Sequence, residues 1–346
     1  MKIQNQESSY INILRMILII GVVFTHSTIP VEQPHNYSNI TFDIIYLWQH
    51  IIGEFRVPTF FLLSGYFFFI KEGNTFNYKN YINKIHKRIY TLIFPYIVWC
   101  AIAFLFHKIF NIAKGEQLSE NILFSFIKSL FYYNGSIVYP FPINGPLWYI
   151  RDLILLTIIS PIIFHLIIKL KKIWIVISLI IFCIYPYLQI PLSLLLTGII
   201  WFSVGSYLSI NQKQLIDWIK RFKISYYIYP LCVLINLFSM GHSYSILINQ
   251  ITIIFGTFFI IKLVFSLCQY WNIPHYNTGP IVMFIYCSHF IVDYIKIIYM
   301  HIISHNHLIL IHYLIALTTI TLCVLSYYML NKICPNILRI ALGNRK

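Results

Sequence analysis

The stretch from Tyr10 to Ile29 is apolar enough for lipid except at two positions, Arg15 and His26. A charged side chain near the centre of a membrane helix costs about 3 kcal/mol on insertion scales, so an ionisable residue there marks a functional-site hypothesis. Eleven positions separate the two. On a helix that is roughly 16 Å and about three turns, which puts both on nearly one face. One helix would then carry a fixed cation low in the membrane and a titratable imidazole high in it.

Composition agrees with a membrane setting. Of 346 residues, 59% are hydrophobic and only 10% charged, with a mean hydropathy of +0.74, whereas soluble domains carry about 25% charged residues. The sequence predicts one all-α, polytopic membrane domain over residues 1–346. Apolar runs near 10–29, 44–70, 89–108, 147–168, 173–188, 192–209, 226–240, 246–267, 279–300 and 308–330 suggest about ten transmembrane helices. A net charge of +15 could suit nucleic acid, but the connecting Lys and Arg divide 17 to 3 between alternate connections. Positive charge collects on the cytoplasmic side, so both termini are expected there and no nucleic-acid partner is implied. The seven cysteines fall in spans or on that side, where no disulfide is expected. The N-terminus resembles a signal peptide without a small-residue cleavage site, so its apolar helix is expected to be retained.

The connection 30–43 lacks Lys and Arg and reads as outward; the sequons at Asn36, Asn39 and Asn134 would matter only in a eukaryotic secretory pathway. The second span contains Glu54, Arg56 and Pro58. Charges two residues apart do not face each other on a regular helix, and proline interrupts its backbone pairing. A break is therefore expected near 54–65, with the charges either pairing with other helices or lining a cavity. Lys84, Lys87 and Arg88 precede the third span, as a topology anchor, a headgroup contact or a phosphate seat. Between 109 and 146, Ile122, Leu123, Phe126, Ile127, Leu130 and Phe131 repeat behind Ser119, a potential N-cap, and predict a helix on the outer surface. Trp148, Arg151 and Asp152 open the fourth span; the last two either snorkel at the boundary or serve a site. Tyr286 and His289 lie one helical step apart. His301, His305, His307 and His312 have no nearby Asp, Glu or Cys, so they read as interfacial residues and no metal is expected.

Together these pieces resemble acyltransferase family 3, whose members O-acylate cell-surface glycans and related molecules. The matching residues are Arg15-x10-His26, the stretch Arg56 to Tyr66, the basic-to-Pro-Tyr stretch Lys84 to Tyr96, Trp148-x-x-Arg151-Asp152 and Tyr286-x-x-His289. The resemblance implies an acyltransferase of the cell membrane, in a bacterium the cytoplasmic membrane. Its donor would be acetyl-CoA or another cytoplasmic acyl-CoA, with no permanently bound cofactor. The acceptor would be a hydroxyl of a saccharide or glycolipid on the other side, and polysaccharide-synthesis proteins are possible partners. Catalysis would fall to His26 with Arg15. Arg56, Ser64, Lys84, Lys87 and Arg88 would meet the donor, and Glu54, Trp148, Arg151, Asp152, Tyr286 and His289 the acceptor. Imidazole suits the deprotonation of an attacking hydroxyl near neutral pH, by direct transfer or through an acyl-His intermediate. No fused esterase-like domain is read, so a second acyl-handling step is expected to need another protein. The alternative is an exporter or flippase of a polysaccharide or lipid-linked saccharide, which a broken helix with intramembrane charges would also serve.

Overall fold

A computed structural model describes residues 2–28, 52–70, 72–73, 75–115, 121–133, 140–188, 193–211, 215, 218, 225–271, 273, 277–302 and 308–344. The described residues are 87% helical and include no β-strand. The connection 30–43, Asn134, Ser119, His305, His307, Lys71, Lys213, Lys220, Arg221 and Lys223 lie outside them.

Helix α1 (Lys2–His26) is followed by α2 (Arg56–Phe69) and α3 (Tyr78–Arg88). A π-helical turn, Ile89–Ile93, joins α3 to α4 (Phe94–Ala113). The wider turn sits just ahead of Pro95, which has no N–H for the regular ladder. Then come α5 (Ile122–Phe131), α6 (Trp148–Leu170), α7 (Lys172–Ile184), α8 (Ser193–Ile210), α9 (Ser225–Ser239) and α10 (Ser245–Tyr270). Next are α11 (Gly279–Ser288), α12 (Val292–Ile302), α13 (Leu308–Ile333) and α14 (Pro335–Ala341), with a 3-10 turn, His289–Ile291, between α11 and α12.

Among the described residues, six helical stretches are long and apolar enough to cross a membrane: Ser9–His26, Tyr78–Ala113, Gly145–Leu170, Ser245–Tyr270, Gly279–Ile302 and Ile309–Ile333. The other four expected spans correspond to shorter helices: Lys172–Leu188, Leu194–Ile210 and Tyr226–Ser239, and the 14-residue α2. A rise of 1.5 Å per residue gives α2 a length of roughly 21 Å, less than a bilayer core.

The break expected near 54–65 falls at the start of that range. Residues 52–55 are non-α, and α2 then runs unbroken to Phe69. Pro58 sits in its first turn, where a missing N–H costs nothing. The cap of α5 is Asn121, whose side chain accepts from the Phe124 N–H at 3.0 Å. Ile122, Leu123, Phe124 and Ile127 of α5 are exposed, while the Tyr96 hydroxyl ties its end down through the Leu130 carbonyl.

The centre of the core is the crossing of α2 and α8. A Cβ on Gly65 would fall 2.0 Å from the Phe202 carbonyl oxygen, and one on Gly205 would fall 1.9 Å from that of Leu62. Two hydrogens therefore let the backbones touch, the usual device where lipid removes the hydrophobic drive between helices. Trp201 and Phe202 are fully buried beside the crossing.

Candidate active site

The face of α1 that carries Arg15 also carries Ile19, Val22 and His26, and all four line one cavity of about 320 Å³. The opposing wall is a matching stripe of α2, comprising Val57, Phe60, Ser64 and Phe67. Arg88, Trp148, Tyr149 and Tyr286 complete its polar and aromatic lining. The Arg15 guanidinium lies 5.0 Å from the centre of the Phe67 ring, in the range of a cation–π contact. Among the described residues the lining holds two guanidiniums, Arg15 and Arg88, which gives the cavity positive charge.

The walls are held by hydrogen bonds between elements far apart in sequence. The Tyr149 hydroxyl donates to the Phe60 carbonyl at 3.2 Å and accepts from Ser64 Oγ at 2.8 Å. The Tyr286 hydroxyl donates to the Pro146 carbonyl. Asn144, fully buried, donates from Nδ2 to the Cys287 carbonyl at 3.0 Å and so pins the loop before α6 onto α11.

A second cavity, of about 680 Å³, shares His26, Pro146 and Trp148 with the first. Its other polar groups are His107, Asn111, Lys114, Tyr133, Asp293 and Tyr294. Tyr133 and Asn111 both reach the Nε2 of His107. The helix α3–α4 has Arg88 in the first cavity and Lys114, just past its end, in the second. Those residues lie roughly 39 Å apart along a helix, more than the thickness of a bilayer core. Helix α1 runs the same way from Arg15 to His26, and α11–α12 runs from Gly279 to Ile297. The cavities therefore lie toward opposite ends of shared helices and meet at His26.

The family model for acyltransferase family 3, described as an acyltransferase domain, matches residues 8–328. The chain belongs to acyltransferase family 3. A curated relative, the succinoglycan biosynthesis protein ExoH of Rhizobium meliloti (strain 1021), is 25% identical over 212 residues. The alignment covers 59% of this chain and 54% of the relative, so the chain spans about half the length of the curated relative it matches. No solved structure matches the chain.

Of the family motif residues, Arg15, His26, Ser64, Arg88, Trp148 and Tyr286 face the first cavity. Others do not line that cavity. Arg56 is buried, donates to the Gly21 carbonyl at 2.5 Å and is not among the residues that line the cavity. Glu54 accepts from Asn249 at 2.8 Å. Lys84 donates to the Phe68 carbonyl at 2.7 Å and to Glu72 at 2.6 Å, clamping the C-terminal end of α2, where carbonyls lack partners and the helix dipole favours a cation. Lys87 is exposed and lines neither cavity. Arg151 donates to the Pro140 carbonyl at 2.6 Å and to its neighbour Asp152 at 3.0 Å, and so secures the loop before α6. His289 is fully buried behind His26, their ring centres 5.4 Å apart.

Of the second cavity's residues, the sequence points to His26, Trp148 and Tyr133, the last among tyrosines of an outward connection that suit either saccharide stacking or an interfacial belt; for the others one signal was there. His107, Asn111 and Lys114 recur at spacings of four and three, one polar face at the end of an apolar helix. Asp293 carries no such signal. Among the described residues no group of three or more His, Cys, Asp or Glu could hold a metal ion.

Proposed function

We propose that this protein is a membrane O-acyltransferase that moves an acyl group, in the simplest case acetyl, from an acyl-CoA to a saccharide hydroxyl. The observation that carries the reading is that His26 lines both cavities. The donor occupies the first, its phosphates drawn to Arg15 and Arg88 by charge-assisted bonds. The acceptor enters the second, where ring faces and mixed donors and acceptors suit a sugar. The acceptor oxygen attacks the thioester carbonyl, and His26 takes the hydroxyl proton. The C–S bond then breaks, and His26 returns the proton to the departing thiolate, leaving an ester and free CoA.

The saccharide assignment is supported by the relative named for succinoglycan biosynthesis. The opposite directions of the cavities fit a cytoplasmic donor and an acceptor on the far side. They also fit the 17 to 3 partition of basic residues, ten membrane passages in which the short helices take part, and termini on the cytoplasmic side of a bacterial cytoplasmic membrane.

The test is to analyse surface polysaccharide from cells with and without the gene, then to supply labelled acetyl-CoA to membranes containing the protein. Gain of one acetyl ester that depends on the protein is the expected result. A polysaccharide that changes location but not mass would overturn the reading in favour of an exporter.

A further inference from the structure

His289 occupies the 3-10 turn that interrupts α11–α12, and its side chain is fully buried. Its Nδ1 lies 3.0 Å from the Ile285 carbonyl oxygen. A carbonyl only accepts, so in the neutral ring Nδ1 carries the hydrogen and Nε2 keeps the lone pair. That Nε2 is buried and has no hydrogen-bond partner, an expensive state for a polar atom removed from water. Two neighbouring rings also face the reaction space: Tyr286, 6.0 Å away between centroids, whose hydroxyl is committed to the Pro146 carbonyl, and His26, with centroids 5.4 Å apart and planes at 45°. An end-on N–H···N bond of about 2.9 Å would put two imidazole centres roughly 5 Å apart. A small turn of the half-buried His26 side chain closes the remaining gap.

We propose that His289 is a positioning residue for His26: its Nε2 accepts a hydrogen bond from the His26 ring. The bonded His26 nitrogen then holds its hydrogen, and the other nitrogen is left with the lone pair that takes the acceptor proton. The logic is that of an orienting group behind a catalytic histidine, with a neutral imidazole in place of a carboxylate. A neutral partner suits a site walled by apolar side chains, where a buried carboxylate would carry a heavy desolvation cost. Backbone geometry supplies the rigidity, because the bond to Ile285 fixes both the tautomer and the direction of Nε2.

The inference rests on the acyltransferase reading, and the experiment separates the two. Purified protein is assayed with labelled acetyl-CoA and, as acceptor, surface polysaccharide from cells lacking the gene. The variants are His289→Leu, His289→Gln and His289→Asn. Leucine removes the acceptor atom; glutamine returns an oxygen near the Nε2 position; asparagine reaches only the Nδ1 position. His289→Leu and His289→Asn should lower kcat by about tenfold or more, while KM for both substrates stays within about twofold and His289→Gln recovers most of the loss. If the leucine variant does not accumulate, the glutamine-to-asparagine ratio decides alone. Equal activity of glutamine and asparagine variants, whether high or low, would overturn the pairing and leave the enzyme reading intact. Wild-type protein that transfers no acetyl group would overturn both.

Discussion

The guanidinium of Arg56 reaches the backbone oxygen of Gly21 at 2.5 Å, joining the two helices whose facing stripes form the first cavity. Gly21 leaves the room for it, since a Cβ there would lie 2.9 Å from Arg56 Cδ. Arg56→Gln should therefore cost about 1.5–3 kcal/mol of stability, the range for a hydrogen bond involving a charged group. Thermal unfolding in detergent checks this. An unchanged midpoint together with a raised KM for acyl-CoA would return Arg56 to the donor site.

His26→Gln keeps polarity and approximate size while removing the proton acceptor. Acyl transfer should fall about a hundredfold or more, with membrane levels unchanged on immunoblots. Substantial transfer by the well-expressed variant would remove His26 from its role.

The basic cluster should divide by direction. Arg15→Gln and Arg88→Gln are expected to raise KM for acyl-CoA by about tenfold each, the loss of one charge-assisted contact. Lys87→Gln, on the exposed side, should leave it unchanged. Lys84→Met should lower the unfolding midpoint, because the Phe68 carbonyl and Glu72 lose their partner. Donor titrations and melting curves on the four variants separate these outcomes.

In the second cavity, Asn111→Leu and Asp293→Asn should raise the apparent KM for polysaccharide by several-fold, on the order of one hydrogen bond each, with little effect on the acyl-CoA dependence. Equal effects on both substrates would mean that this cavity does not receive the acceptor alone.

Reporter fusions after residues 40, 80, 135 and 215 should read outside, inside, outside and inside. Finding residue 80 outside would place Arg88, and with it the proposed donor phosphates, on the wrong side of the membrane.

The sequence by itself determined everything that depends on spacing along one helix. Arg15 and His26 share a face because a 3.6-residue period is local, and both line the first cavity together. The apolar runs likewise settled the all-helical membrane class, and the periodic stretch after residue 120 did become a helix, Ile122–Phe131.

Only the tertiary structure decided which face meets which neighbour. Lys84 and Arg88 stand one turn apart, yet one clamps the end of α2 and the other lines the cavity. Arg56 stands in a family motif but ties α2 to α1. No periodicity reveals these assignments, because each depends on a group distant in sequence, as where Thr278 donates to the Asn12 carbonyl at 2.9 Å. The interruption of α11–α12 at His289 has no glycine or proline to announce it. It places a second imidazole beside His26 from a helix more than 250 positions away, and that adjacency exists only once the helices have packed.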